Sequence, residues 1–285
     1  MTDSIPVKVL HAMPLSVTGL YIYPIKSCRG IALSQVTLNR WGLAYDRHWM
    51  LVDASGQFIS QRQHPRLALV ETALEEDCLR LNAPGQPELR LSLNDRSGLK
   101  VEVVVWRDRC RALDQGDVAA QWFQQVLGLP CRLVRMTEDF DREVDPRYAP
   151  PGYQVNFADG YPVLMISEAS LADLNGRLTV PLPMNRFRPN LVVTGCEPYA
   201  EDTWRRVRIG AIEFLGVKLC GRCVITTTDQ ERGERQGQDP LETLAAYRQV
   251  GGRILFGQKL VYSKSGQLVL GDRIEVLELQ TQQNV

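Results

Sequence analysis

Short runs of strand-forming residues, separated by turn residues, fill the chain between positions 16 and 106. Gly, Asp, Asn, Ser and Pro interrupt these runs at close spacing, which is typical of a β-barrel or a β-sandwich. Few other segments have helical periodicity, so the sequence predicts a mainly β protein with a few helices, an α+β fold. The predicted strands of this region cover residues 17–25, 31–38, 47–53, 57–61, 67–74, 78–83, 89–93 and 100–106.

Three segments have the periodicity and the end signals of helices. Each begins at a residue whose side chain can accept a hydrogen bond from the first turn. With these N-caps included, the predicted helices are Asp117–Leu127, Ser167–Arg177 and Asp239–Gln249. The apolar face of the first is predicted to contain Val118, Trp122, Phe123 and Val126.

A charged, proline-rich segment at residues 136–153 divides the chain near its middle and predicts a connecting loop. A length of 285 residues is compatible with two domains on either side of it. We therefore expect an N-terminal extension at 1–15, a β-rich module at 16–135 and a second domain at 154–282.

Composition restricts the class of partner. Lys and Arg together number 33, as do Asp and Glu, so the formal net charge is zero and nucleic-acid binding is not expected. No apolar run is long enough to span a membrane, and the first residues lack a secretion signal. The seven scattered cysteines favour a reducing compartment. These features predict a cytoplasmic protein that contacts no membrane.

A Cys-x-x-Cys pair, Cys220 and Cys223, lies between two apolar runs. Before the pair, the alternation of apolar and polar residues slips near Gly216, which predicts a strand with a β-bulge. After it comes VITTT, a β-branched run that predicts a second strand opening at Cys223. The two thiols are therefore expected on a connection between strands.

The pair alone is compatible with several chemistries. A structural zinc site needs four ligands, and all three histidines lie far upstream. A thioredoxin-like dithiol needs a following helix, which the pattern does not predict. Two cysteines can also simply pack as small apolar residues. Basic and amide residues crowd around the pair in sequence, namely Arg186, Arg188, Asn190, Arg205, Arg206, Arg208 and Arg222.

Three other positions have the chemistry of an anion site. Arg188 precedes Pro189 at the start of an apolar run, and a guanidinium fixed at a strand end suits planar anions. Lys26 and Ser27 follow a strand, where they suit a phosphate, although an ordinary solvated turn has the same composition. Arg47 lies between aromatic residues, either paired with its neighbouring aspartate or bound to a ligand.

Several motifs in order resemble the MOSC domain, named after the C-terminal part of molybdenum cofactor sulfurase. The likeness is greatest to the branch that contains the mitochondrial amidoxime-reducing component and its bacterial relatives. YPIKSCRG, YDRHWM and the segment around Pro65 resemble the N-terminal β-barrel module that precedes the MOSC domain in this branch. The MOSC motifs are RFRPNLVVTG at 186–195, EDTW at 201–204, IGAIEF at 209–214 and CGRCVITTTD at 220–229.

The resemblance implies a MOSC-type β-barrel after the N-terminal barrel module, and a bound molybdenum cofactor. This cofactor is a pterin with a phosphate tail and a dithiolene that holds the metal. The second thiol of the pair ligates molybdenum in the family, which makes Cys223 the implied metal ligand and catalytic residue, and Cys220 a packing residue. The other implied cofactor-binding residues are Lys26, Ser27, Arg47, Asp159, Gly160, Tyr161, Arg188, Asn190, Gly221 and Arg222.

The resemblance also implies an activity: reduction of N-hydroxylated compounds such as amidoximes, hydroxylamines and N-hydroxylated bases, a detoxification reaction. The sequence contains no plant-type C-x₄-C-x₂-C motif. We therefore expect no iron–sulfur cluster in this chain, and electrons from a separate ferredoxin or flavoprotein reductase. Two alternatives remain open, a carrier or sulfur-transfer module for the cofactor, and a thiol redox protein that uses both cysteines.

Overall fold

The computed structural model describes residues 14–280 and is built mainly from strands. Most of the predicted N-terminal extension, residues 1–13, lies outside the described residues. The strands are β1 (Ser16–Ile22), β2 (Ile31–Leu33), β3 (Gln35–Asn39), β4 (Gly42–Leu43), β5 (Trp49–Val52), β6 (Glu71–Leu74), β7 (Cys78–Asn82), β8 (Leu89–Ser92), β9 (Lys100–Val105), β10 (Asp108–Asp114), β11 (Arg132–Met136), β12 (Val163–Ser167), β13 (Leu191–Thr194), β14 (Trp204–Ile209), β15 (Ile212–Gly221), β16 (Thr228–Asp229), β17 (Glu234–Arg235), β18 (Gln249–Val250), β19 (Arg253–Tyr262), β20 (Gly266–Val269) and β21 (Ile274–Leu279).

Three α-helices and several short 3₁₀ turns complete the described part of the chain. The mainly β, α+β prediction is therefore confirmed. The α-helices are α1 (Gly116–Leu127), α2 (Glu168–Arg177) and α3 (Leu241–Arg248). The 3₁₀ helices are Pro65–Leu69, Met184–Arg186, Ala200–Thr203 and Val224–Thr227. No helix among residues 14–280 combines the length and apolar character needed to cross a membrane.

The helix starts were predicted with mixed success. Ser167 is the N-cap of α2, and its hydroxyl accepts a hydrogen bond from the Ser170 backbone N–H. The N-cap of α1 is instead Gln115, and Val118 is exposed rather than packed on the core face. The N-cap of α3 is Pro240, although the Asp239 carboxylate still accepts from the N–H and hydroxyl of Thr243.

One large sheet supports the second half of the chain. Its strand order is β2-β1-β13-β12-β19-β15-β14-β21, with β18 added beside β19. The register of β15 against β19 shifts between Gly216 and Lys218, as the slipped alternation predicts. A side chain at Gly216 has no room, because a Cβ there would lie 2.1 Å from the Trp204 carbonyl oxygen. The bulge therefore requires glycine.

Smaller sheets cover the first half, in the orders β5-β11-β10-β9, β6-β7-β8 and β20-β3-β4. Strand β1 pairs with β13, and β3 pairs with β20, so main-chain hydrogen bonds cross the predicted domain boundaries. The boundaries themselves stay a prediction. The run at 57–61 was predicted to be a strand, which is wrong: it makes only isolated bridges, such as Val52 to Phe58.

The segment after the cysteine pair also differs from its prediction. Val224–Thr227 forms a 3₁₀ helix, with Cys223 as its N-cap residue, and strand pairing resumes only at Thr228. The hydroxyl groups of Thr226 and Thr227 donate to the carbonyl oxygens three residues earlier. Such local hydrogen bonds offer threonine an alternative to a strand ladder. Cys223 therefore begins a tight turn rather than a strand.

We predict that Gly216→Ala destabilises the protein, because its Cβ would overlap the Trp204 carbonyl and the Gln258 side chain. Overpacking of this kind costs about 1–3 kcal/mol in free energy of unfolding. Gly176→Ala is the matched control, since a Cβ there meets nothing within 4 Å. Gly176 lies inside α2, so the control is expected to gain roughly 0.5–1 kcal/mol. Urea denaturation of both variants measures the difference, and equal stabilities would contradict the steric account.

Candidate functional site

Several segments meet around one cavity of about 940 Å³, including the part that is open to solvent. They include the turn after β1, the turn before β5, the loop before β12, the residues that lead into β13, the end of β15 and the middle of β19. Every site residue predicted from the sequence lines this cavity. They are Lys26, Ser27, Arg47, Asp159, Gly160, Tyr161, Arg188, Asn190, Gly221, Arg222 and Cys223.

The backbone of the cavity wall is unusual. Ser27, Arg47 and Arg188 have φ angles of 73°, 45° and 54°, in the left-handed region that residues other than glycine rarely adopt. Residues held in this region cost free energy and collect at ligand-binding and active sites. The fold therefore holds these three side chains in place against a local backbone preference.

The charge of the cavity wall is strongly positive. Six cationic side chains face one carboxylate, that of Asp159, and this balance favours an anionic ligand. The chain, whose formal net charge is zero, thus concentrates positive charge at this cavity. The cationic residues are Lys26, Arg47, Arg62, Arg188, Arg222 and Lys259.

Lys26 is buried, with 5% of its surface exposed. Its Nζ donates to the Phe157 carbonyl oxygen at 2.7 Å and also to Asp159. Burial lowers the pKa of Lys26 to about 8, although the Asp159 carboxylate opposes the change. Burial would raise the pKa of Asp159, but Lys26 and Arg62 hold it well below its usual range. Asp159 is therefore ionised and keeps two cations close to the cavity.

Arg47 and Arg188 share the ring of Tyr23, and each guanidinium carbon lies 4.2 Å from its centroid. Arg47 Nη1 donates to both carboxylate oxygens of the fully buried Asp46, at 2.8 and 2.7 Å. Asn190 accepts a further bond from Arg47, while its amide nitrogen donates to the β1 backbone. The Arg47 side chain is therefore paired, as one of the two sequence interpretations expected.

Arg188 differs from Arg47 because one end of its guanidinium is unused. Its Nη2 is buried and has no hydrogen-bond partner among residues 14–280. Burial lowers the pKa of Arg188 to about 10. A buried donor without a partner is costly, and a ligand oxygen that enters the cavity would remove that cost. Arg222 Nε is in the same condition.

The two thiols are not equivalent. Cys220 is buried at the end of β15, and its sulfur lies 3.1 Å from Arg222 Nη1. Cys223 is partly exposed, lines the cavity and lies where the chain turns into the 3₁₀ helix. Of the two, Cys223 is the more accessible sulfur donor, a distinction that the Cys-x-x-Cys spacing alone did not provide.

Two cationic residues of the wall were not predicted. Arg62 donates to Asp159 Oδ2 at 2.9 Å. Burial lowers the pKa of Arg62, but the Asp159 carboxylate and Cys223 raise it overall. Lys259 also lines the cavity, with its Nζ 4.8 Å from the Tyr161 ring centroid. Arg62 belongs to a polar loop with no periodicity, so its sequence gave no signal.

The predicted crowding of basic residues around the thiols is only half correct. Arg188, Asn190 and Arg222 line the cavity, whereas Arg186, Arg205, Arg206 and Arg208 do not. Arg186 instead pairs with Asp229, and Arg208 pairs with acidic residues on the neighbouring strands. Arg206 and Arg208 lie on β14, where they pair with acidic residues of the neighbouring strands.

The donor set fits the molybdenum cofactor that the sequence resemblance implies. One accessible sulfur suits a soft metal, and unpartnered guanidinium nitrogens suit a phosphate. Backbone can approach a ligand closely at Gly160, where a Cβ would meet no protein atom within 4 Å. Among residues 14–280, no three His, Cys, Asp or Glu side chains are arranged to hold a metal ion by themselves.

Comparison with known protein families identifies a domain in each half of the chain. The MOSC N-terminal beta barrel domain matches residues 15–130, and the MOSC domain matches residues 152–275. Mitochondrial amidoxime reducing component 2 from Bos taurus is 37% identical over 276 residues, which cover 91% of this chain and 82% of that protein. Mitochondrial amidoxime-reducing component 1 from Homo sapiens is 35% identical over 289 residues, which cover 92% of this chain and 83% of that protein.

A more distant comparison involves only part of a longer protein. Molybdenum cofactor sulfurase from Oryza sativa subsp. japonica is 34% identical over 264 residues. These residues cover 86% of this chain but 32% of the sulfurase.

We predict that anion binding to the cofactor-free cavity weakens as pH rises through about 8, because Lys26 loses its positive charge there. Sulfate is the suitable probe, since its own charge is constant over this range. Calorimetric titration between pH 6.5 and 9.5 measures the affinity for sulfate. All proteins in this experiment carry Cys223→Ser, so that the thiol makes no contribution.

Two lysine variants make this experiment specific. Lys26→Gln is expected to remove the pH dependence, whereas Lys259→Gln weakens binding at every pH but retains the decline near 8. A decline that persists in Lys26→Gln would assign the titration to another group.

Proposed function

Because the chain belongs to the MOSC-domain family, with a MOSC N-terminal β-barrel domain ahead of the MOSC domain, we propose that it is a molybdenum-dependent reductase of N-hydroxylated compounds. Its function is related to the molybdenum cofactor, as the family and the named relatives indicate. The observation that carries the finer proposal is one accessible thiol, Cys223, in a cavity whose wall is cationic.

The residues have distinct proposed roles. Cys223 would hold the metal through its sulfur, and Lys26, Arg47 and Arg188 would bind the phosphate and other anionic groups of the cofactor. The backbone at Gly160 and Gly221 could lie close to the pterin, because a Cβ would meet nothing within 4 Å at Gly160 and only Arg253 Cδ, at 3.9 Å, at Gly221. Asn190 would orient Arg47 rather than contact the cofactor, since the side-chain amide of Asn190 already has hydrogen-bond partners in Arg47, Leu164 and Tyr21. When bound, the cofactor supplies the two-electron redox chemistry.

The overall reaction consumes two electrons and two protons for each N–O bond that is broken. An amidoxime becomes an amidine, and the oxygen leaves as water. Asp159 stays ionised near neutral pH, so it orients cations and substrate N–H groups rather than donating a proton. Arg62 lines the same cavity as Cys223 and would add positive charge where the substrate oxygen approaches.

The electrons are proposed to come from a separate protein of ferredoxin or flavoprotein reductase type. The relatives are named as amidoxime-reducing components, which supports a system of more than one protein. We also propose a cytoplasmic location and a role in detoxification. The seven free cysteines are compatible with the reducing conditions of that compartment.

A carrier or sulfur-transfer role is the alternative, and the likeness to a molybdenum cofactor sulfurase favours it. Such a protein would hold the same cofactor in the same cavity but would not turn over N-hydroxylated substrates. Assay of benzamidoxime reduction with a supplied electron donor separates the two roles, since only the reductase produces benzamidine.

We predict that Cys223→Ser loses bound molybdenum and benzamidoxime reduction, because serine removes the soft ligand. Elemental analysis of freshly purified protein measures the metal, and single-turnover reduction measures activity. Cys220→Ser is the matched control, since Cys220 is buried and lies against Arg222. It is expected to retain most of the molybdenum. If both variants lost activity while neither parent nor variant contained molybdenum, the dithiol alternative would replace this proposal.

A further inference from the structure

Trp106 stands at the rim of the cavity, at the tip of the β9–β10 hairpin. Its indole Nε1 donates to Asp159 Oδ1 at 3.2 Å, and the Arg62 guanidinium carbon lies 4.6 Å from its ring centroid. Both partners line the cavity. Phe58 packs against the indole with a centroid separation of 5.0 Å. Even so, 46% of the Trp106 surface is exposed.

The backbone at Trp106 is strained for such a large residue. Its φ angle is 60°, within the left-handed region, and it forms the two-residue turn between Val105 and Asp108 with Arg107. Asn, Asp and Gly are the usual residues at this position of a tight hairpin. A bulky, half-exposed aromatic side chain at a strained position points to a function beyond forming the turn.

The side chains of Phe58, Arg62 and Trp106 form a contiguous surface that we call the rim platform, in which the two aromatic rings are tilted by 60° to each other. An indole and a guanidinium in contact offer both an apolar face and a positive charge to a planar group. Arg62 and Cys223 line the same cavity, so the platform adjoins the proposed metal site. Asp159 connects the two through its bonds to Lys26, Arg62 and Trp106.

We propose that the rim platform binds the flat aromatic part of an N-hydroxylated substrate while its N–OH group points toward Cys223. The substrate class is aryl amidoximes and N-hydroxylated bases, both of which join a planar ring to the reducible group. The Asp159 side chain is 44% exposed and is ready to accept an N–H of the same planar unit. The reduction step rests on the proposed function, whereas binding to the platform does not.

Binding is tested without turnover. The protein is labelled with 5-fluorotryptophan, and benzamidoxime is titrated in the absence of an electron donor. Trp106→Asn assigns the resonance, because asparagine tolerates a left-handed φ and keeps the turn intact. We expect a saturable shift at Trp106 and none at Trp41, another partly exposed tryptophan that stacks on an arginine, with Arg40 4.1 Å from its ring. An unmoved Trp106 resonance at high benzamidoxime concentration overturns the proposal.

Kinetics test whether the platform selects substrates. We expect Trp106→Asn to lower the ratio of kcat/KM for benzamidoxime to that for acetamidoxime about three- to tenfold, mainly through KM. Trp106→Phe keeps an aromatic ring without the Nε1 bond to Asp159, and is expected to restore most of the ratio. Trp41→Phe should leave the ratio unchanged. Equal losses for both substrates in Trp106→Asn would show a purely structural residue and overturn the proposal.

A second titration tests the other substrate of the proposed class. We expect 6-N-hydroxylaminopurine to give the same saturable shift at Trp106, and an unmoved resonance would remove N-hydroxylated bases from the proposal. Failure of this inference differs from failure of the proposed function. A Trp106 shift without any reduction leaves the platform intact and rejects the reductase, whereas reduction with an unmoved Trp106 rejects only the platform.

Discussion

Positive charge buried around a single accessible sulfur is the constraint on which this structure depends. Lys26 is buried and Arg188 is partly buried, and the burial lowers the pKa of both. Cations in such surroundings need anionic partners, and the cavity wall supplies only Asp159. An anionic cofactor would complete the electrostatics that the folded chain leaves incomplete. The same imbalance would allow a chain with zero net charge to bind a phosphate group at this cavity.

The backbone contributes to this arrangement as much as the side chains do. Ser27, Arg47 and Arg188 all require left-handed φ angles, and each follows or precedes a strand of the main sheet or its neighbour. The hydrogen bonds of the neighbouring strands fix the chain next to each of these residues, and this stabilisation offsets the local backbone strain. Rim residue Trp106 repeats the pattern on a separate hairpin. Left-handed φ angles therefore occur at three residues of the cavity wall and at one residue on its rim.

Much of the fold could be predicted from local signals, and the bulge at Gly216 follows from a slipped alternation. Most cavity residues were instead implied by the resemblance of ordered motifs to the MOSC family. Other features depend on contacts that no short window contains. VITTT has strand propensity, yet threonine hydroxyls bond back to the chain and turn it. Arg62 and Trp106 come from irregular or strained segments, and only the folded chain brings them together over Asp159.

Strand β1 is the first strand of the described residues in chain order, but its partner in the sheet, β13, comes much later in the chain. Ser16 of β1 pairs with Thr194 of β13, and Leu20 pairs with Leu191. At a synthesis rate of 5–20 residues per second, roughly ten to thirty seconds separate the two strands on the ribosome. During that interval the exposed edge of β1 has no partner, and Lys26 behind it has no cavity to occupy. The cavity wall is therefore complete only once β19, which carries Lys259, has been synthesised.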